Sequence, residues 1–405
     1  MKEELSNTNV VIIESISDKI PEWPYADQKE EAAVVKVLKT TNWWRNTGTE
    51  VKAFEKEFAK YHDCIGGISV TNGTVAIEIA LKALEIGEGD EVIIPAFTFY
   101  STVSAVLAVN AIPVIVDVLP DTYCIDPVQI EKAISNKTKA IIPVHMAGQV
   151  AEMYIINDIA SRHNLYVIED SAHAHGAVWK GRKAGSFSTC STFSFQNAKL
   201  MTAGEGGIIL SNNEELLNKI FLQSNCGRAE SDTAYQHVLK GTNARLSEIQ
   251  GAILRVQLSR LEEQINLREE NYKYLGSLLE KIPGIGLQSI SKDMDRHPHY
   301  MIMFYYDKHY FNGVPRDEFV QYIKKAGIPS NRSFESIHKL PVFEKLEANK
   351  WRVVGTQGED GKLHCPNSER ISNEAVCLSH NILLGNRELL ESIAKYIEDF
   401  QKVKC

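Results

Sequence analysis

Apolar residues recur along this chain with two different periods, and the changes between them mark out its elements. Val51, Phe54, Phe58 and Tyr61 fall at helical spacing among charged neighbours, which predicts an amphipathic helix. A second helix is expected to open after Asn72-Gly73-Thr74, with Val75, Ile79, Leu81 and Leu84 apolar and Gly87 near its end. Beyond it, short β-branched runs alternate with helical stretches. Residues 91–94, 112–116, 140–144 and 165–168 read as strands. Residues 100–109, 127–134 and 153–162 read as helices, the second opened by Pro127 in its first turn. Apolar strands separated by helices predict an α/β fold with a mostly parallel sheet covered on both faces. Two further strands are expected at 191–195 and 207–210.

From Ser247 to about Ile282 a helical period runs with only Gly251 and Gly276 against it, long for one globular helix. It reads as a spar to a smaller α+β domain beyond Pro283-Gly284-Ile285-Gly286, containing a strand at 300–306 and helices at 317–325 and 388–400. The expected division is an N-terminal arm at 1–24, a large domain at 25–260, and the connecting helix with a small C-terminal domain at 261–405.

Composition narrows the class. With 405 residues, 44% hydrophobic and 24% charged, the chain has ordinary globular usage, which excludes a disordered or fibrous protein. Lys plus Arg number 44 against 52 Asp plus Glu, a formal charge of −8, which argues against nucleic-acid and membrane-surface partners. No apolar run approaches the roughly 20 residues of a spanning helix. The polar, acidic start carries no apolar stretch of the kind a secretory signal needs. Seven scattered cysteines without a C-x-x-C pair predict neither a zinc site nor a disulfide framework, and a reducing cytoplasm is the expected compartment.

Ligands of open α/β sheets collect at the carboxyl ends of the strands, and four such ends are chemically loaded here. Val70-Thr71-Asn72-Gly73-Thr74 opens a helix, as an anion site would, although Asn-Gly followed by a Thr74 cap is equally a plain turn. Pro95-Ala96-Phe97-Thr98-Phe99-Tyr100 offers aromatic rings to stack on a flat cofactor, or else core residues. Glu169-Asp170 closes an apolar strand, so a carboxylate there needs a cationic partner. His173 and His175 follow it, but no third ligand stands at metal spacing, and no metal is expected. Finally, Lys199 lies in an apolar, glycine-bounded loop. Lysines usually sit on solvated faces, so taken singly it is equally a surface loop lysine, but a desolvated amine is a competent nucleophile toward an aldehyde. The following Gly204-Glu205-Gly206-Gly207 lacks the spacing of a dinucleotide fingerprint. A phosphate cradle, a stacking aromatic, an acid for a ring nitrogen and a Schiff-base lysine together are the parts that hold pyridoxal phosphate.

These motifs resemble those of the DegT-type aminotransferases, pyridoxal-phosphate enzymes of fold type I, from about Trp23 to the C-terminus. The most specific stretches are 95–102, Pro143-Val144-His145-Met146-Ala147-Gly148, 169–176, 194–207 and 241–250. Within the family, Trp43-Trp44-Arg45, 195–207 and Asn243-Ala244-Arg245-Leu246-Ser247-Glu248 are most similar to the 3-amino-5-hydroxybenzoate synthase branch, which also holds keto-sugar and cyclitol aminotransferases. The resemblance implies that Lys199 carries the cofactor as a Schiff base and shuttles a proton, that Asp170 pairs with the pyridinium nitrogen, and that His173 bonds the phenolic oxygen. It implies further that Phe99 stacks on the ring and that Gly73, Thr74 and Ser194 hold the phosphate. Asn243, with Arg245, would reach the phosphate from the neighbouring subunit of a homodimer.

The sugar-nucleotide members carry a His-Tyr-x-Pro-Leu-His pattern, against Ser333-Phe334-Glu335-Ser336-Ile337-His338 here, which loosens any expectation of a nucleotide-linked acceptor. The expected reaction moves an amino group from L-glutamine or L-glutamate to the ketone of a keto-sugar or cyclitol, in amino-sugar or antibiotic-type biosynthesis. Alternatives are dehydration and aromatisation of an aminoketo acid, or a non-catalytic partner subunit. A pyridoxal-phosphate-binding regulator would need a DNA-binding domain that the chain lacks. Arg45, Arg228 and Arg332 are the candidate clamps for the donor carboxylate.

Overall fold

The β-branched runs assemble into one eight-stranded sheet. Its order is Gly66–Val70, Gly207–Ser211, Cys190–Ser194, Tyr166–Asp170, Thr138–Ile141, Glu91–Pro95, Ile112–Val116 and Arg352–Val354. The computed structural model describes residues 15–347 and 349–403. Gly207–Ser211 runs antiparallel to both neighbours, and every other pairing is parallel. Alternate residues bury on opposite faces: Ile93, Val114 and Val116 in one cluster, Ile94 and Ile115 in the other. Helices cover both clusters, which is why these strands are apolar throughout rather than alternating.

Most of the expected elements form within a residue or two. The expected strand at 140–144 instead ends at Ile141, because Pro143 has no N–H to donate to a ladder. Helix Glu248–Leu279 runs unbroken for 32 residues from a capping box at Ser247. It packs on helices Gln28–Thr40 and Glu50–Tyr61 at one end and on helix Arg387–Val403 at the other. A second sheet, antiparallel, has the order Ile285–Leu287, Met301–Tyr306, Ala375–Ser379, Ser330–Arg332. Strand Arg352–Val354 lies within the stretch assigned above to the smaller domain, yet it extends the large sheet beside Ile112–Val116. Of the expected arm, residues 1–14 lie outside the described residues. The rest is tied down: Ile16 N–H donates to Ala326 O at 2.9 Å, and Pro21 O accepts from Asn381 Nδ2 at 2.7 Å.

Candidate active site

The four loaded strand ends open into a single cavity of about 680 Å³. Helix Gly73–Ala83 begins at its edge, and the first N–H groups of a helix have no intrahelical acceptor. The cap is Asn72, whose Oδ1 accepts from Val75 N–H at 2.9 Å, and not Thr74. Thr74 Oγ1 is instead hydrogen-bonded to Ser101 Oγ at 2.7 Å. A Cβ on Gly73 would stand 2.8 Å from Ser194 Cβ, so only glycine keeps the gap between helix and strand end open. A helix N-terminus, two hydroxyls and a glycine gap converge there, which is the construction of an oxyanion site.

Glu169 and Asp170 are both buried, but their surroundings differ. Glu169 accepts from Gly185 N–H, Phe187 N–H and Ser188 Oγ and bonds His145 Nε2 at 2.9 Å, so it is consumed by the fold. Asp170 lines the cavity, and its side-chain hydrogen bonds among the described residues come from neutral groups, Thr102 Oγ1 at 2.9 Å and Ala172 N–H at 3.2 Å. Burial outweighs these two bonds and the weaker attraction of Lys199 and His145, and pushes its carboxyl above the ordinary range. A cationic ring nitrogen is the partner such a group lacks.

Lys199 sits in the loop between strands Cys190–Ser194 and Gly207–Ser211, half-buried, with Nζ 4.4 Å above the centre of the Tyr300 ring. Among the described residues it forms no ion pair. Tyr300 also stacks on His173, with ring centres 4.3 Å apart. His173 Nδ1 accepts from Ala147 N–H at 3.4 Å, which leaves the ring proton on Nε2. Burial holds the pKa of His173 well below its ordinary value, so the ring is neutral. His175 points away: its Nε2 is bonded to Ser194 O at 3.0 Å.

Of the aromatic run, Phe97 is core, whereas Phe99 lines the cavity with 57% of its surface exposed. Asn243 is exposed and Arg245 half-buried, and neither lines the cavity of its own chain. Arg45 is not available to a substrate: its guanidinium is buried against Glu55. Arg228 is bonded to Asp232 at 2.8 Å, while Arg332, two residues before the cavity-lining Phe334, is exposed without an ion pair among the described residues. In the altered segment, His338 is held by Glu369 at 2.9 Å and by Ser336 at 3.1 Å. The cavity is also lined by Thr102, Tyr300 and Phe334, to which the sequence alone gives no role. Thr102 stood inside a stretch already singled out, but nothing at spacing level links Tyr300, some 100 residues further on, to the lysine loop.

Known proteins share both the sequence and the fold. The chain is 39% identical over 383 residues to the 3-amino-5-hydroxybenzoate synthase of Amycolatopsis mediterranei (strain S699), covering 94% of this chain and 97% of that one. It is 33% identical over 396 residues to the L-glutamine:2-deoxy-scyllo-inosose aminotransferase of Streptomyces fradiae, covering 92% of each. A crystal structure of a 3-amino-5-hydroxybenzoic acid synthase superposes with a TM-score of 0.88 at 38% identity, over 95% of this chain and 99% of that one. Residues 24–397 match the DegT/DnrJ/EryC1/StrS aminotransferase family, and the chain belongs to this family of pyridoxal-phosphate-dependent enzymes.

Proposed function

We propose that this enzyme moves an amino group from L-glutamine or L-glutamate to the ketone of a keto-sugar or cyclitol, with Lys199 as the residue that carries the cofactor and moves the proton. The observation that supports this most is the meeting of Lys199, Asp170, His173, Gly73 and Ser194 around one cavity. The residues fit pyridoxal phosphate: the Gly73 gap admits an anion, and among the described residues neither Asp170 nor Lys199 is held in an ion pair.

When bound, the cofactor supplies a conjugated ring that takes up the electron pair left behind by a departing α-proton. Asp170 keeps the ring nitrogen protonated, and a carboxylate so paired stays ionised. His173 donates from Nε2 to the ring oxygen, its tautomer set by Ala147 N–H. Gly73, Thr74 and Ser194 hold the phosphate, and Phe99 covers one ring face. The free amine of Lys199 would be the base that receives the α-proton at Nζ and the acid that gives it back. The reverse half with the keto acceptor uses the same groups, so the kinetics are ping-pong.

The site is shared across a homodimer on this reading, with Asn243 and Arg245 reaching the neighbouring phosphate. Exposed Phe99 at the cavity, its neighbour Tyr100, and exposed Trp43 and Trp44, the latter under Arg245, support it, since so many bare aromatics are uncommon on a monomer. Arg332 is the remaining candidate clamp for the donor carboxylate.

A second reading, dehydration and aromatisation of an aminoketo acid, is favoured by the higher identity to the aminohydroxybenzoate synthase. One spectrum separates them. Cofactor-loaded protein receives L-glutamine or L-glutamate without acceptor. Transamination predicts loss of the yellow band and growth of a near-ultraviolet one. A yellow band that survives both donors, while borohydride still fixes the cofactor to Lys199, overturns transfer from these donors and points to the second reading, a different donor or a non-catalytic partner subunit. Lys199→Ala should bind cofactor without covalent attachment and show no turnover.

A further inference from the structure

We infer that His380 and Trp23 are positioning residues for the Lys199 loop, gripping it through the two carbonyls that precede the lysine. This rests on the role proposed above for Lys199. Asn197 O accepts from Trp23 Nε1–H at 3.0 Å, and Ala198 O accepts from His380 Nε2–H at 3.1 Å. The two donor rings meet edge to face, with centres 4.6 Å apart and planes at 84°. Trp23 precedes the first long helix, and His380 begins the turn His380–Leu384 after strand Ala375–Ser379. Neither belongs to the hairpin that holds the loop.

The loop's shape is set from within. Lys199 N–H donates to Gln196 O and Ala198 N–H to Gln196 Oε1, both at 2.8 Å, and Thr202 Oγ1 donates to Phe195 O at 2.9 Å. Those bonds leave open where the loop sits relative to the second sheet, and the two outside donors determine that. Strand Met301–Tyr306 pairs with Ala375–Ser379 in the register Met301 to Ser379. Tyr300 and His380 therefore emerge side by side, 6.0 Å between ring centres. One ring lies beneath the lysine amine and the other holds the carbonyl before it, so the amine and the sheet move as one body.

His380 suits the task. A carbonyl oxygen can only accept, so the ring nitrogen facing it carries the proton and this is Nε2, while the buried Nδ1 has no hydrogen-bond partner among the described residues. A charged ring would place a second N–H where nothing accepts it. Burial accordingly keeps the group neutral, and the donor is not lost by titration.

The test uses the full-length, cofactor-loaded enzyme with His380→Leu, His380→Gln and Trp23→Phe. Three quantities are measured: the single-turnover rate of yellow-band loss with L-glutamine, the visible circular dichroism of the bound cofactor, and the melting midpoint. His380→Leu and Trp23→Phe should slow the half-reaction roughly 10- to 100-fold, the range that an ångström of misplacement costs, and should alter the visible dichroism. His380→Gln, whose amide restores an Nε2–H donor, should recover most of both signals even where it melts no higher than His380→Leu. Wild-type rate and dichroism in both donor-less variants would overturn the clamp, as would a glutamine variant no better than leucine. If borohydride fixes no cofactor on Lys199 in the wild type, the functional reading fails first and takes the clamp with it.

Discussion

Arg45→Met separates structural from substrate-binding arginines, and its effect follows from what the side chain touches. Arg45 and Glu55 are 5% and 8% exposed, joined by Nη2–Oε2 at 2.8 Å, with Nε and Nη2 also on Oε1 at 3.1 and 3.0 Å. Glu55 Oε1 accepts Ser69 N–H at 2.7 Å as well, so the pair ties helix Glu50–Tyr61 to strand Gly66–Val70. Removing one partner of a buried pair costs about 3–5 kcal/mol, because the other charge is left without compensation. At about 2.1 cal/mol/K of unfolding entropy per residue, a chain this size loses on the order of 4–6 °C of melting midpoint. Burial raises the Glu55 carboxyl even with Arg45 in place, though Arg45 opposes it. Without Arg45 it rises further. A raised folded value contributes stability below the unfolded pKa and loses it as pH climbs through the folded one. The deficit of Arg45→Met should therefore shrink toward acid pH, and Arg45→Met/Glu55→Gln, which keeps an acceptor for Ser69, should recover most of it at neutral pH. Calorimetric melts and donor KM decide the matter. A melt equal to wild type together with a tenfold rise in donor KM would refute the reasoning and make Arg45 the carboxylate clamp. Arg332→Gln should show the complementary pattern, a raised KM with an unchanged melt.

Two further changes probe the cofactor cradle. Asp170→Asn should abolish turnover yet raise the melting midpoint of the cofactor-free protein at neutral pH. The wild-type carboxyl, raised by burial from its ordinary 3.8, loses its stabilising contribution as it ionises. The gain should close as pH falls toward 4, and a lower neutral-pH midpoint would contradict the assigned burial. Gly73→Ala should weaken cofactor binding at least tenfold in a fluorescence titration, equivalent to about 1.4 kcal/mol or one charge-assisted hydrogen bond. Its Cβ would fill the gap to Ser194, and unchanged affinity would place the phosphate elsewhere.

How much of the fold was legible depended on what each segment buries. Strands buried on both faces are continuous apolar runs, and that signal located Glu91–Pro95, Ile112–Val116 and Tyr166–Asp170. Gly66–Val70 escaped notice because Gly66-Gly67 looks like a turn. The structure gives the glycines another cause: a Cβ on Gly67 would lie 2.6 Å from Leu210 Cδ2, and one on Gly66 2.7 Å from Leu217 Cδ1. Leucine side chains pack into the space a Cβ would take there. Strand Arg352–Val354 was illegible for a different reason, because three residues carry no period and their partner strand is far away in sequence. Helices Gln28–Thr40, Glu214–Ser224 and Pro366–Glu374 bury few residues each, so no sustained stripe announces them.

The site was more legible than the scaffold because its chemistry contrasts with its surroundings. A lysine in an apolar loop, a carboxylate ending a buried strand and a glycine opening a helix each depart from what packing alone would select. Their neighbours do not. Tyr300, Thr102 and His380 are ordinary buried or half-buried residues by type, and the pairing of Met301–Tyr306 with Ala375–Ser379 brings two of them to the lysine loop. The same limit explains Arg45. A guanidinium is legible as a cation, but whether it meets a substrate depends on which carboxylate the fold presents, and Glu55 is presented by the helix that Val51, Phe54 and Phe58 fix in the core. Groups that act through other groups are thus hidden in sequence for a physical reason: their chemistry is satisfied by the protein itself, so no residue type stands out.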